Sequence, residues 1–193
     1  MSTQKEVLVI TRAKFATLDI ERMTAVRKKA LGVLKEVSGL LSMTLWERHD
    51  DPFGFMTVGH FQSEADSLAA WNALVASPVM DVMAEIMTEV PNTLRFYVNS
   101  QTGVSIEKTH EGTFCSLSTR IADIGYGPAM TTELKGIFEE LKLIHGFQGG
   151  ITGQMIDVSD EILGLAFWDS KDSFEASLPE KSMYRIDLFQ RVL

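Results

Sequence analysis

Cys115 is the one cysteine among 193 residues, so no disulfide can form within the sequence, which points to a reducing compartment. Cys115 sits in the strand-like run TFCSLSTR with no local His or Lys to activate it, and reads as a small buried residue. Basic clusters are missing too. The net charge is −8 and the pI near 5.0, and Arg27, Lys28 and Lys29 read as the solvated side of a helix. Phosphate contacts need clustered cations, so nucleic acid is excluded as the main partner. The apolar run near the start of MSTQKEVLVITRAKF is too short for a signal peptide or a membrane span. The expectation is a cytoplasmic protein with no membrane partner.

Recognised site motifs are absent as well. GPAMTTELKG is no phosphate loop, and the glycines of FQGGITGQ fall inside a strand pattern rather than at a strand-to-helix turn. No Gly-x-Ser-x-Gly elbow occurs, nor a zinc or paired-carboxylate signature.

What the sequence does carry is hydrophobic periodicity. VLVITRAKF is rich in β-branched residues and predicts a strand. Ile20, Met23, Val26, Ala30, Val33 and Val37 then recur at helical spacing, and Gly39 supplies a stop. LLSMTLWER and FGFMTVGHF predict two strands around the HDDP turn. Ser63 caps a second helix with Leu68, Trp71 and Val75 as its apolar side, kinked or restarted at Ser77–Pro78 and running to about Val90. LRFYV predicts a fourth strand. This βαββαβ order is the ferredoxin-like split βαβ unit.

The order then recurs. After the polar stretch NSQTGVSIEKTHEG come a strand, a helix with Met130, Leu134, Ile137, Leu141 and Ile144 on one side, two strands, a short helix and a last strand, YRIDLFQRV. Met23-Thr24 aligns with Met130-Thr131, Lys28 with Lys135, Leu34-Lys35 with Leu141-Lys142, Gly39 with Gly146 and Ser63 with Ser170, always at an offset of 107. Thr11-Arg12 matches Thr119-Arg120 at 108, Asp66-Ser67 matches Asp172-Ser173 at 106, and Arg95 matches Arg185 at 90. The expected organisation is a tandem duplication: domains 1–100 and 113–193, joined by linker 101–112.

One ferredoxin-like unit leaves a sheet face bare, and these strands are apolar on both faces. Such a face is an association surface. The fold class expected is therefore α+β, two antiparallel ferredoxin-like repeats that close against each other into a barrel within one chain, with a homodimer as the alternative.

The segment FWDSKDSFEA, with Trp168, Asp169, Ser170, Phe174 and Ala176, resembles the antibiotic biosynthesis monooxygenase domain family of the dimeric α+β barrel superfamily. Phe61, Gln62, Ser63, Leu68 and Ala70 follow the pattern more loosely in the first half. The resemblance implies oxygenation of aromatic, polyketide-type substrates with no cofactor, the substrate carbanion reacting with oxygen itself. A second branch degrades haem. It carries an Asn in the first strand, a Trp in the second helix and a haem-ligating His about three turns later. Trp71 fits that pattern, but the first strand has no Asn and no His lies between Trp71 and Asn99, so haem is the lesser alternative.

Among individual residues, His49 beside Asp50-Asp51 reads as a hairpin turn, since a metal needs three or four convergent ligands. His110 lies in the linker and His145 at a helix end. His60 lies within a strand where the other half has Phe167, and is a candidate acid or base. Arg12 is the second catalytic candidate, since a strand arginine in an apolar sheet needs a carboxylate or an anionic ligand. Trp46, Trp71, Tyr97, Arg120 and Trp168, with Tyr184, are candidates to line an apolar or aromatic ligand pocket. The expected partner is a small apolar or aromatic molecule, bound either by an oxygenase or by a non-enzymatic ligand-binding or interaction protein of the same fold.

Overall fold

The structure is a computed structural model, and it describes residues 5–16, 20–179 and 186–192. Tyr184 and Arg185, and with them the proposed match of Arg95 to Arg185, lie outside the described residues. The first half runs β1 (Val7–Lys14), α1 (Ile20–Lys35), β2 (Leu40–Arg48), β3 (Asp51–Phe61), α2 (Glu64–Val75), α3 (Val79–Ile86) and β4 (Asn92–Gly103). A single 3-10 turn, Ile106–Lys108, follows. The second half runs β5 (Phe114–Ile121), α4 (Gly127–Leu141), β6 (Phe147–Met155), β7 (Glu161–Trp168), α5 (Lys171–Ser177) and β8 (Asp187–Arg191).

These eight strands form one closed antiparallel barrel in the order β1-β3-β2-β8-β5-β7-β6-β4. Each half contributes four neighbouring strands in the same relative order, and β2–β8 and β4–β6 pairing joins them. The fold class expected from the sequence is the one observed, closed within one chain. Closure removes the open sheet edges of this barrel, the standing liability of strand proteins.

Strand alternation decides which side chains enter the barrel. Leu8 and Ile10 of β1, Trp46 of β2, Met56 and Val58 of β3 and Phe96 of β4 meet Cys115, Leu117, Ile151, Leu163, Leu165, Phe167 and Phe189 of the other half in a single buried cluster. Trp46 stacks on Phe167 across the two halves, ring centroids 6.0 Å apart. Each such side chain contributes about 1.5–3 kcal/mol when fully buried, and here each half supplies the other's partners. Helices cover the outer faces, α1 to α3 over the first four strands and α4 and α5 over the others.

Three details of the sequence reading are corrected by the structure. The first is register. Leu8 and Cys115 both face inward, as do His60 and Phe167, opposite Leu8 and Cys115 respectively. Both pairs are 107 apart, so Arg12 corresponds to Thr119, not Arg120; an offset of 108 would put the two arginines on opposite faces. At the second helix, Ser63 caps Asp66 and Ser170 caps Ser173, again an offset of 107 rather than 106. Gly39 and Gly146 hold φ of 81° and 84°, a conformation that favours glycine. A Cβ there would stand 2.2 Å from Asp66 Cγ or 2.1 Å from Ser173 Oγ.

The second correction concerns α2. The expected apolar side is outward: Leu68, Trp71 and Val75 are 42, 48 and 53% exposed. The helix seats on Ser67, Ala70 and the partly buried Leu74 instead, because small residues let it lie close to the sheet. On α4 the expected side is largely the seated one, with Leu134 buried and Met130 and Leu141 packed against the same cluster, but Ile137 and Ile144 are exposed and Gly127, Thr131 and Phe138 complete the seat. The third is the end of the helical stretch. It breaks at Ser77–Pro78 as expected but stops at Ile86, because Met87 bridges Phe15 and the Thr88 amide donates to the Lys14 carbonyl.

The segment 101–112 is packed rather than loose. Gln101–Gly103 continues β4, and Ile106 is fully buried in the barrel core. Among the described residues no single helix is long and apolar enough to cross a membrane.

Candidate functional site

The inward faces of β1 and β2 turn from apolar to cationic as they leave the core. Leu8 and Ile10 are followed two residues at a time by Arg12 and Lys14, and Trp46 by Arg48. These three cations therefore collect at one mouth of the barrel. They line a cleft of about 350 Å³ together with Asp51, Phe55, Asn92 and Phe189. Glu89 and the exposed Val90 flank it. Except for Phe189 of β8, every lining residue comes from the first half.

Carboxylates hold this mouth in shape. Arg48 donates from Nε to Asp50 at 2.6 Å and from Nη2 to Asp187 at 3.0 Å. Lys14 donates to Asp51 at 2.8 Å, and Asp51 also accepts from the Phe53 amide. The Arg48 hydrogen bond holds the Asp50 carboxyl below its ordinary value, and the Lys14 hydrogen bond does the same for Asp51. The same contacts raise Arg48 and Lys14. All four groups are charged at neutral pH. Arg12 differs. Its Nη1 stands 3.7 Å from Asp187 Oδ2, beyond hydrogen-bond reach, and among the described residues its donors are not hydrogen-bonded. Arg12 thus keeps a planar fork of donors for an oxygen ligand, on the inward side that it shares with Phe189.

The structure separates the sequence candidates. Arg12 is in the cleft. His60 shares its side of the sheet but sits near the opposite mouth: Arg12 pairs with Met56, and His60 lies four residues further along β3, roughly 13 Å at ~3.3 Å per residue. Trp46 is fully buried in the packed interior, its Nε1 donating to Thr44 at 2.8 Å. Trp71 stands exposed on α2. Tyr97 is on the outer face of β4, its hydroxyl donating to Glu64 at 2.5 Å. Arg120 is on the outer face of β5, paired in register with Ile162 beneath the second half's helices. Trp168 is buried on that same outer face and donates to Ser116 at 3.0 Å. His49 is exposed at the hairpin with its ring edge-on to Phe114. Burial alone pushes the Cys115 thiol well above its ordinary range, so it is no nucleophile.

Lys14, Arg48, Asn92 and Phe189 were not among the sequence candidates. Lys14 and Arg48 were findable, because they continue the period-two pattern that defines the inward face. Asn92 arrives through the β1–β4 pairing within the first half and Phe189 through β2–β8 across the closure, and neither left a local signal.

Two groups can be tested against these residues. Haem held in the expected pattern needs an imidazole facing Trp71, yet His60 is committed to the barrel interior and His49, His110 and His145 lie off α2 and α3. The residues do not fit that group. Among the described residues no three of His, Cys, Asp and Glu converge as metal ligands.

No family model matches the sequence, and no curated protein matches it. Solved structures do match in shape. A candidate monooxygenase from Fusobacterium nucleatum superposes with a TM-score of 0.72 at 13% identity, covering 99% of this chain and 94% of that one. An anthrone oxidase-like protein gives 0.72 at 14% identity, covering 98% and 92%. A candidate monooxygenase from Lactobacillus acidophilus gives 0.68 at 10% identity, covering 97% and 94%. The chain therefore has the α+β barrel fold of proteins named as monooxygenases, as the resemblance of FWDSKDSFEA implied. At these identities the likeness is one of fold.

Proposed function

We propose that the cationic mouth of the barrel binds a small, largely aromatic molecule bearing an acidic hydroxyl or enolate, and that the protein oxygenates it without a bound cofactor. The observation that carries this reading is Arg12: a guanidinium whose donors make no hydrogen bond among the described residues, in a cleft that Phe189 lines from the same inward side. A phenolate or enolate oxygen meets the guanidinium, and the rings lie against Phe189. Stabilising the enolate lowers the cost of removing a proton from the adjacent carbon. The resulting carbanion reacts with dioxygen. Overall a ring methylene gives up both hydrogens and becomes a carbonyl; one atom of the dioxygen stays on that carbon, and the other leaves with the two hydrogens as water. The fold shared with proteins named as monooxygenases, and with one named as anthrone oxidase-like, supports this choice of substrate class. We read the two halves as a tandem duplication in which the first has kept the site, and the protein as cytoplasmic.

Oxygen uptake with a hydroxyanthrone tests the reading. The expected result is uptake at least tenfold above the buffer rate, lost in Arg12→Ala. Tight binding with uptake at the buffer rate leaves a non-enzymatic ligand-binding protein. Neither binding nor uptake overturns the reading.

A further inference from the structure

At the mouth opposite the cleft, two buried polar atoms have no hydrogen-bond partner among the described residues: His60 Nδ1 and Ser42 Oγ. They belong to directly opposed residues of β3 and β2. Both face inward, since His60 also pairs with Leu8, a residue of the barrel core. Opposed positions stand about 5 Å apart at Cβ, so the two side chains are immediate neighbours. Buried polar groups are almost always partnered, by protein, water or ligand. Two such atoms in one cross-strand pair therefore point to a shared polar partner.

The chemistry of that partner follows from Glu6. Its Oε2 lies 3.0 Å from His60 Nε2, and an ionised carboxylate only accepts. In the neutral ring the proton therefore sits on Nε2, and Nδ1 presents a lone pair. Ser42 presents a hydroxyl donor. One acceptor and one donor aimed at a single oxygen that carries its own hydrogen describe a receptor for a hydroxyl group. His60 is 4% exposed, whereas the Glu6 side chain is 49% exposed, so the pair stands just inside the surface. The 3-10 turn packs into the barrel through Ile106, and the buried Ser105 before it donates its hydroxyl to Glu107 at 2.5 Å.

We propose that His60 and Ser42 form a second binding site, which takes the hydroxyl group of a small molecule: the hydroxyl donates to His60 Nδ1 and accepts from Ser42. The site is independent of the cleft, because Ile10, Trp46, Met56 and Val58 fill the barrel between them. Glu6 fixes the ring tautomer and stands ready to stabilise the imidazolium if the hydroxyl proton is taken. A hydroxyl can come from a ligand or from an ordered water.

Long-range 1H–15N spectra of the histidine side chains, recorded on the full chain with phenol and with its methyl ether anisole, separate these cases. The expected result is that the neutral form of the His60 ring carries its proton on Nε2. Phenol shifts its Nδ1 resonance saturably, and anisole, which has no hydrogen to donate, does not. Ser42→Ala weakens the phenol response at least tenfold without changing the tautomer. A proton on Nδ1 overturns the proposal, as does an equal response to phenol and anisole. No response to phenol overturns it in favour of an ordered water only. The tautomer and the phenol–anisole comparison need no variant, so a Ser42 substitution that fails to fold leaves the test intact.

Discussion

Arg48 reaches across the seam between the two halves: its Nη2 lies 3.0 Å from Oδ1 of Asp187, the first residue of β8. Asp187 is 11% exposed at its side chain and also faces Arg12 at 3.7 Å. One carboxylate thus joins β1 and β2 of the first half to the last strand of the second. It also holds the cationic mouth together without closing the donor fork of Arg12.

Asp187→Asn removes that charge and leaves two arginines facing each other. Losing a charged hydrogen bond in a partly buried site costs about 1–2 kcal/mol. The urea midpoint should fall accordingly with an unchanged slope, because the surface exposed on unfolding stays the same. An unaltered midpoint would mean the contact is too solvated to matter.

The Asp51 carboxyl is held below its ordinary value of 3.8, chiefly by the Lys14 hydrogen bond. A depressed folded value stabilises the fold fully above 3.8 and is lost as the pH falls through the lowered value. Stability measured against pH should therefore drop below about pH 4, and Asp51→Asn should flatten that drop. Lys14 is exposed and Asp51 only half-buried, so raising the salt concentration should shrink the difference.

The three tryptophans differ in surroundings. Trp46 and Trp168 are 0 and 2% exposed, Trp71 48%. Acrylamide should quench Trp71 and leave the other two, so Trp71→Phe should remove most of the quenchable emission. Trp46→Ala should cost about 3–5 kcal/mol through the cavity it leaves, and Trp71→Ala within about 0.5 kcal/mol either way. Strong destabilisation by Trp71→Ala would place that side chain in the core.

Much of this architecture was legible in the sequence, and the exceptions share a cause. The βαββαβ order of each half and the barrel follow from periodicities that local packing enforces. The match of Arg12 to Arg120 failed because a like residue one position away looks attractive in a string, whereas in a strand one position exchanges the two faces. The apolar side of α2 was misassigned because apolar residues occupy several sides of that helix. Its seat is chosen by the small Ser67 and Ala70, which hydrophobicity alone does not rank. The cleft draws on both kinds of information. Arg12, Lys14 and Arg48 continue an inward pattern visible in one dimension. Phe189 and Asp187 arrive through the β2–β8 pairing, which exists only once the barrel closes.

The most direct test of the account is equilibrium binding of a hydroxyanthraquinone, an aromatic molecule with acidic hydroxyls that does not consume oxygen here. Calorimetric titration of the wild type, Arg12→Ala and Arg120→Ala compares the arginine in the cleft with the one on the outer face. The account predicts binding to the wild type, a loss of at least tenfold in Arg12→Ala, about 1.4 kcal/mol, and an unchanged affinity in Arg120→Ala. Equal affinities in all three proteins, or a loss confined to Arg120→Ala, would contradict it.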